Sequence, residues 1–412
     1  MLDISKDKLN KELIFGQDLL ILVLFYFGIA AIFDYFINVK ILGLSFFVTI
    51  ITYGFVFFIF IKNLKIINRN QILSYFIIVL LLLFVLGCRA LFYQENMINM
   101  LGNDRFIFFV PVVLMLFNRV NFKRISEKKI RFFLLAILVI HSINSLFYLV
   151  GIPAIEHVDV LADDYVEFSR FGGIMGGSNV QAVFTSTIYT ILVLSDLKMS
   201  VVKFFFLTLL SIIAIAPTIS RGGMVVLLLT LICFFYNKLK KGSLIDKISI
   251  SFFTLFIVTL AITQIDFSNI EILYTSFFDR FDQDDISSGR GERLIYFWKI
   301  INNSIVCYII GVPVSLQETS TNAISDNVFT LLPVNLGVIF TILFLTFIFF
   351  ISKKVRIRNK AVINWYLVIL FLISFTNNAI IWTAWTYYVI FGFFYLKFKS
   401  SISDSDSSYS LI

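Results

Sequence analysis

Long apolar runs, each near twenty residues and parted by short polar breaks, recur from one end of the 412-residue chain to the other. A bilayer core of about 30 Å needs roughly 20 apolar residues per helix. Runs of that kind lie at 14–33, 41–61, 71–88, 98–117, 131–151, 178–196, 200–219, 222–237, 247–265, 328–351, 363–381 and 382–396. The pattern predicts an all-α, polytopic integral membrane protein with about 12 transmembrane helices, a single transmembrane domain over 1–412. The runs at 222–237 and 382–396 are short, and 98–117 carries Asp104 and Arg105 near one end. The first run has no small-residue cleavage pattern and eleven more follow it, so it reads as a span and not as a cleaved leader.

Basic residues give the runs an orientation. Taking alternate connections from the N-terminus collects 25 of the 34 Lys and Arg, with dense clusters at Arg119–Arg131 and Lys353–Lys360. The opposite set holds only Lys40, Arg89, Arg105, Arg170, Arg221, Arg280, Arg290, Arg293 and Lys299. Cytoplasmic connections carry the excess of positive charge, so both termini are expected inside. The stretch 294–310 is apolar but interrupted by Lys299, Asn302, Asn303 and Ser304. Counting it as a span would move the Lys353–Lys360 cluster outside. It is therefore expected as an amphipathic helix on or dipping into the outer face, with Trp298 at the interface.

Composition agrees and narrows the chemistry. Hydrophobic residues make up 59% and charged residues 15%, against about 45–50% and about 25% in soluble domains, which excludes a water-soluble globule. The net charge of +8 follows from topology, with anionic lipid headgroups as its counterpart and no nucleic-acid partner required. Three cysteines exclude a disulfide framework, and two histidines supply neither a metal site nor a clustered ligand set. No cofactor is expected. The polar tail 400–412 is expected to be disordered.

Two long connections fall on the outer side, 152–177 and 266–327, and loops longer than about 15 residues are usually functional or disordered. Their acids, Glu156 to Glu167 and Asp279 to Glu292, follow from charge asymmetry alone if they only solvate the surface. The arginines invite more, because this side is poor in cations. Arg170 lies in Phe168-Ser-Arg-Phe-Gly-Gly-Ile-Met-Gly-Gly-Ser-Asn179. Its glycines let backbone amides approach a ligand, and Ser178 or Asn179 can open a helix whose N-terminus favours an anion; the plainer alternative is a re-entry turn that needs small residues. Arg221, in Ser220-Arg-Gly-Gly-Met224, sits on the turn between the seventh and eighth runs. There it either snorkels to the headgroups or faces an anion arriving from the lipid. Arg290 and Arg293 stand three apart in Ser288-Gly-Arg-Gly-Glu-Arg293, on one face if helical. They can grip phosphate oxygens in bidentate fashion or pair with Glu292 and the preceding aspartates.

In order and sidedness these segments resemble the O-antigen polymerase and O-antigen ligase family of cell-envelope polysaccharide enzymes. Ser220-Arg-Gly-Gly-Met-Val-Val-Leu-Leu-Leu229 is similar to the family's Ser-Arg-Gly followed by a hydrophobic helix. Arg170 with Gly-Gly-Ser-Asn179 resembles its Arg…Gly…Asn element. Gly289-Arg290 with Trp298 and Gly311-Val-Pro313 resembles its Gly-Arg…Trp…Pro/Gly stretch, and Asp326-Asn327 with Gly337 matches a His-Asn…Gly element in spacing. The likeness covers roughly 165–345. The ligase branch carries a functional His where this chain has Asp326, and His141 and His157 do not match that position. The polymerase branch is therefore favoured, and Arg280 with Gly291 reproduces an Arg-x10-Gly spacing described for some polymerases.

The resemblance implies a metal-independent glycosyltransferase in a bacterial cytoplasmic (inner) membrane, with its active site on the periplasmic side. It would transfer a glycan from undecaprenyl diphosphate to a hydroxyl of another lipid-linked repeat unit. Its implied partners are that lipid-linked oligosaccharide, the membrane lipids, a chain-length regulator and a flippase. Diphosphate already activates the sugar, so permanent cations suit the leaving group's growing charge. Arg170, Arg221 and Arg290 are assigned to the diphosphate, with Arg293 and Arg280 in support and Asn179 nearby. Asp326 is the expected base, with Glu167 second; Asp326 as a plain helix cap is the alternative. Two other functions, and a non-catalytic role as an envelope scaffold, stay open. A ligase would move polymer onto a lipid A-core acceptor. A lipid-linked oligosaccharide flippase would place ionisable groups within its spans, whereas here the deeper polar residues are mostly His141, Asn144, Asn335, Asn377 and Asn378.

Overall fold

The computed structural model describes residues 15–38, 44–97, 100, 106–155, 158–159, 170–175, 177–245, 247–248, 298–301, 304–313, 328–352, 360–376 and 383–402. Helix α1 spans Gln17–Asn38, α2 Leu44–Lys62, α3 Arg69–Tyr93, α4 Phe106–Phe117 and α5 Glu127–Leu149. A minimal antiparallel pair follows, β1 Val158–Asp159 and β2 Arg170–Phe171. Then come α6 Ser178–Leu194, α7 Val201–Ile215, a 3₁₀ turn Ala216–Thr218 and α8 Arg221–Lys241. The chain continues with α9 Ile305–Ile310, α10 Val328–Ser352, α11 Lys360–Thr376 and α12 Thr383–Ile402. The described fold is helical throughout apart from the strand pair. Helices stand in the expected runs except 247–265, nearly all of which lies outside the described residues.

Among the described residues, five helices are long and apolar enough to cross a membrane: Arg69–Tyr93, Glu127–Leu149, Val201–Thr218, Gly222–Lys240 and Thr330–Ile351. The shorter apolar helices are Gln17–Ile29, Tyr53–Lys62, Phe106–Phe117, Ser178–Leu194 and Ala361–Ser374. The expected amphipathic helix over 294–310 is broken. Residues 298–301 are helical, Ser304 is extended (φ −144°, ψ 119°), and α9 restarts behind it for six residues. Ser304 causes the restart, because its side chain accepts the Cys307 amide as an N-cap. At about 1.5 Å per residue, α9 is far too short to cross a bilayer core.

Helix α6 is the centre of the bundle, packed against α5, α7, α8, α11 and α12. Nearly all of it is buried, including Gln181, Thr185, Ser186, Thr187 and Thr190. Each threonine hydroxyl returns a hydrogen bond to the carbonyl four residues back, at 2.7–2.8 Å. Thr187 also accepts from Trp385 Nε1 of α12 at 3.0 Å, Thr190 pairs with Thr230 of α8 at 2.9 Å, and Tyr189 pairs with Thr208 of α7 at 2.9 Å. Small polar residues therefore join helices that hydrophobicity alone cannot hold together in lipid. Close approach completes the seam: a Cβ on Gly223 of α8 would fall 2.7 Å from Cβ of Ala182. Helix α3 lies at the other extreme, with Leu80, Phe84 and Leu91 all more than half exposed.

The described helix ends separate into two sets. At one end Gln17 Nε2 donates to the Asn121 carbonyl at 2.7 Å and Asn63 Nδ2 to the Phe15 carbonyl at 3.0 Å. There too, Arg131 pairs with Asp196 at 2.6 Å and Lys399 with Glu127 at 2.8 Å, joining the start of α5, the α6–α7 turn and the finish of α12. The basic connections described by the structure collect at this end. At the other lie the start of α6, the turn before α8, and the last turn of α3, which is about 30 Å along its helix from Arg69.

Candidate functional site

That second end is built from two junctions. The first gathers the sequence segments around Arg170, Asn179 and Arg221. After α5, the loop is tied back by Asn144, whose Oδ1 accepts the Ile155 amide at 2.8 Å while its Nδ2 donates to the Ile155 carbonyl at 3.1 Å. The chain reaches β2, where Arg170 pairs with Asp159 and Phe171 with Val158. Phe171 is fully buried and stacks on Tyr148 of α5, ring centroids 4.3 Å apart. The apolar anchor next to Arg170 thus fixes the strand, and the strand lies against the 3₁₀ turn that precedes α8.

The glycine run then turns into α6. Gly173 has φ +54°, and a Cβ on it would fall 2.8 Å from the Gln181 side chain, so only glycine fits both backbone and space. Gln181 holds the turn. A carbonyl oxygen only accepts, so His141 donates from Nε2 to the Gly28 carbonyl at 3.1 Å. Its Nδ1 then accepts from Gln181 Nε2 at 2.9 Å, and Gln181 Oε1 accepts the Met175 amide at 3.3 Å. This orientation follows from the bonding pattern. One neutral relay therefore links α1, α5, α6 and the glycine turn through fully buried side chains.

Two residues into α6, Asn179 Oδ1 accepts a hydrogen bond from the Ser220 hydroxyl at 3.1 Å. Ser220 is the N-cap of α8 and Arg221 is its first residue. Just before it, Ile219 has φ +49° and ψ +35°. A β-branched residue in that left-handed region is a genuine outlier, costing roughly 1–2 kcal/mol, and such strain gathers at functional sites. The 3₁₀ turn imposes it, with the Ile219 amide bonded to the Ala216 carbonyl and Thr218 Oγ1 to the Ile215 carbonyl.

The second junction surrounds Arg89, which the sequence marks only as one of the few outer basic residues. Arg89 is 2% exposed and forms an ion pair with Glu95 at 2.8 Å; its Nε donates to the same carboxylate oxygen at 3.0 Å. Nη2 also donates to the Val312 carbonyl at 3.1 Å, and Nη1 to the Asn335 carbonyl. Tyr93, four residues on, donates to the Gly311 carbonyl at 3.0 Å. Helix α10 is interrupted at Gly337 (φ +79°, ψ 160°). A Cβ on Gly337 would collide with the Ile309 backbone, and one on Gly311 (φ +90°) with the Val334 and Asn335 carbonyls. The two glycines that the sequence singles out in separate elements thus interlock, and Val312 N–H donates to the Val334 carbonyl at 2.7 Å.

The structure brings together the backbone of Arg170, the Asn179 side chain and the first residue of α8, Arg221. Of the arginines at Arg170 and Arg221 only the backbone is described. Glu167, Arg280, Arg290, Arg293 and Asp326 lie outside the described residues, as does most of 266–327. Trp298 is described and is 46% exposed. Among the described residues no group of three or more His, Cys, Asp or Glu is placed to hold a metal ion. The sequence reading missed Gln181 and Arg89. For Arg89 a signal existed, a lone arginine closing an apolar run on the cation-poor side; for Gln181, inside a helix, none did. No protein-family model matches the chain, and no characterised protein matches it in sequence.

Proposed function

We propose that the chain is a polysaccharide repeat-unit polymerase with twelve spans and both termini in the cytoplasm of a bacterium. It transfers a glycan from undecaprenyl diphosphate to a hydroxyl of another lipid-linked repeat on the outer face of the inner membrane. The observation that carries this reading is the Ser220–Asn179 hydrogen bond, which sets two arginine-bearing segments, distant in sequence, side by side at one end of the bundle. The contact of the Arg170 strand with the turn before Arg221 and the left-handed Ile219 support the same location. The clustering of basic connections at the opposite end supports the orientation.

In the reaction, the acceptor oxygen bonds to the anomeric carbon as the bond from that carbon to the diphosphate oxygen breaks. The electron pair leaves with undecaprenyl diphosphate, and the hydroxyl proton passes to a carboxylate, Asp326 in this proposal. Arg170, Arg221 and Arg290 hold the diphosphate, and opposite unit charges at 4 Å interact by about 4 kcal/mol at an effective dielectric near 20. That attraction accelerates the step only where it grows as the leaving group gains charge. A strain lacking the chain should export glycan capped with a single repeat, and adding back Arg290→Ala should leave it so. Normal chain-length ladders from the deletion would refute the polymerase reading. Wild-type ladders from Asp326→Asn would refute the assignment of the base.

A further inference from the structure

We infer that Arg89 is a positioning residue, a clamp on the backbone of two segments that the proposed reaction needs held at a fixed spacing. The inference rests on the polymerase reading for what is positioned, but the clamp itself rests on geometry. Where α10 breaks at Gly337, the carbonyls just before the break lose the amides that a continuous helix would supply. Their partners come from elsewhere: Val334 O takes the Val312 amide, and Asn335 O takes Arg89 Nη1. Val312 in turn has its carbonyl held by Arg89 Nη2. One guanidinium therefore satisfies a carbonyl on each side of the interlocked glycines, while Glu95 neutralises it.

A guanidinium carries its donors on three nitrogens spread across one rigid plane, whereas the three donors of an ammonium share a single nitrogen. The two clamped segments matter because of their neighbours in the chain. Residues 298–313 begin five positions after Arg293, and α10 opens two positions after Asp326. Fixing Val312 against Asn335 fixes the two roots of the connection 314–327. The two segments so fixed are the described ones nearest in sequence to Arg293 and to Asp326.

The test uses the full-length purified protein in nanodiscs and two variants. Arg89→Lys keeps the charge and loses the fork. Arg89→Met with Glu95→Leu removes both charges together, a replacement that buried ion pairs commonly tolerate, and supplies no donor to either carbonyl. Hydrogen exchange should rise at residues 304–313 and 334–341 in both variants, with α5 and α6 unchanged. With an undecaprenyl-diphosphate-linked repeat as substrate, kcat should fall tenfold or more while KM moves less than threefold. Unchanged exchange in the double variant overturns the clamp. Raised exchange with wild-type kcat overturns the positioning role. If wild-type protein does not elongate the repeat at all, the polymerase reading fails and the positioning role with it, whereas raised exchange would still uphold the clamp.

Discussion

Two junctions close the same end of this bundle, and opposite chemistry holds them. Around Asn179 and Ser220 the linking groups are neutral: a histidine, two amides, a hydroxyl and close glycine contacts. Around Arg89 a buried charge pair does the linking, with the guanidinium directed at Glu95 and two backbone carbonyls. All the arginines concerned come from the cation-poor side of the sequence. Presence on that side therefore does not assign an arginine to substrate. The first junction fixes its arginines through their backbone with uncharged groups, whereas the second consumes an arginine as part of the frame.

The contrast can be broken at its strongest point first. Arg89→Ala removes one member of a buried ion pair with Glu95 and takes this donor from the Asn335 and Val312 carbonyls, so it should cost about 3–5 kcal/mol. Loss of monodisperse protein on detergent extraction, or early unfolding in a denaturant titration, would register it. Gln181→Leu in the neutral junction should cost less, about 1–3 kcal/mol, from an unmet His141 and a released Met175 amide. Limited proteolysis should then cut within 170–177 sooner than in wild type. The smallest effect is expected from Ser220→Ala, about 1 kcal/mol in the same unfolding titration. If Ser220→Ala proved as damaging to stability as Arg89→Ala, the distinction between a charged frame and a neutral one would not hold.

The membrane class and the helix positions were legible because the apolar runs are long and the bilayer sets their length. Basic residues likewise marked connections that share an end, and the ion pairs Arg131–Asp196 and Lys399–Glu127 join three of them. The motif segments at Arg170, Asn179 and Ser220 were readable as candidates, since glycine runs and arginines are rare in such surroundings. Their proximity was not, because it depends on which helices pack against α6, and the Ser/Thr pairs that decide this have no spacing signature. The split of 294–310 at Ser304 depends on a single cap, which composition does not separate from an ordinary polar interruption. The partnership of Gly311 with Gly337 was invisible for a further reason. Each is an ordinary glycine in its own segment, and only the tertiary approach of α9 to α10 gives either its role.

The most direct measurement is elongation of a purified undecaprenyl-diphosphate-linked repeat by the purified chain, with wild type, Arg170→Ala and Arg221→Ala assayed side by side. Wild-type protein should build a ladder of lengthening glycans. Both variants should leave the single repeat, each folded as judged by an unfolding midpoint close to that of wild type. Ladders of equal length and rate from all three proteins, or none from the wild type, would contradict a diphosphate site at this end of the bundle.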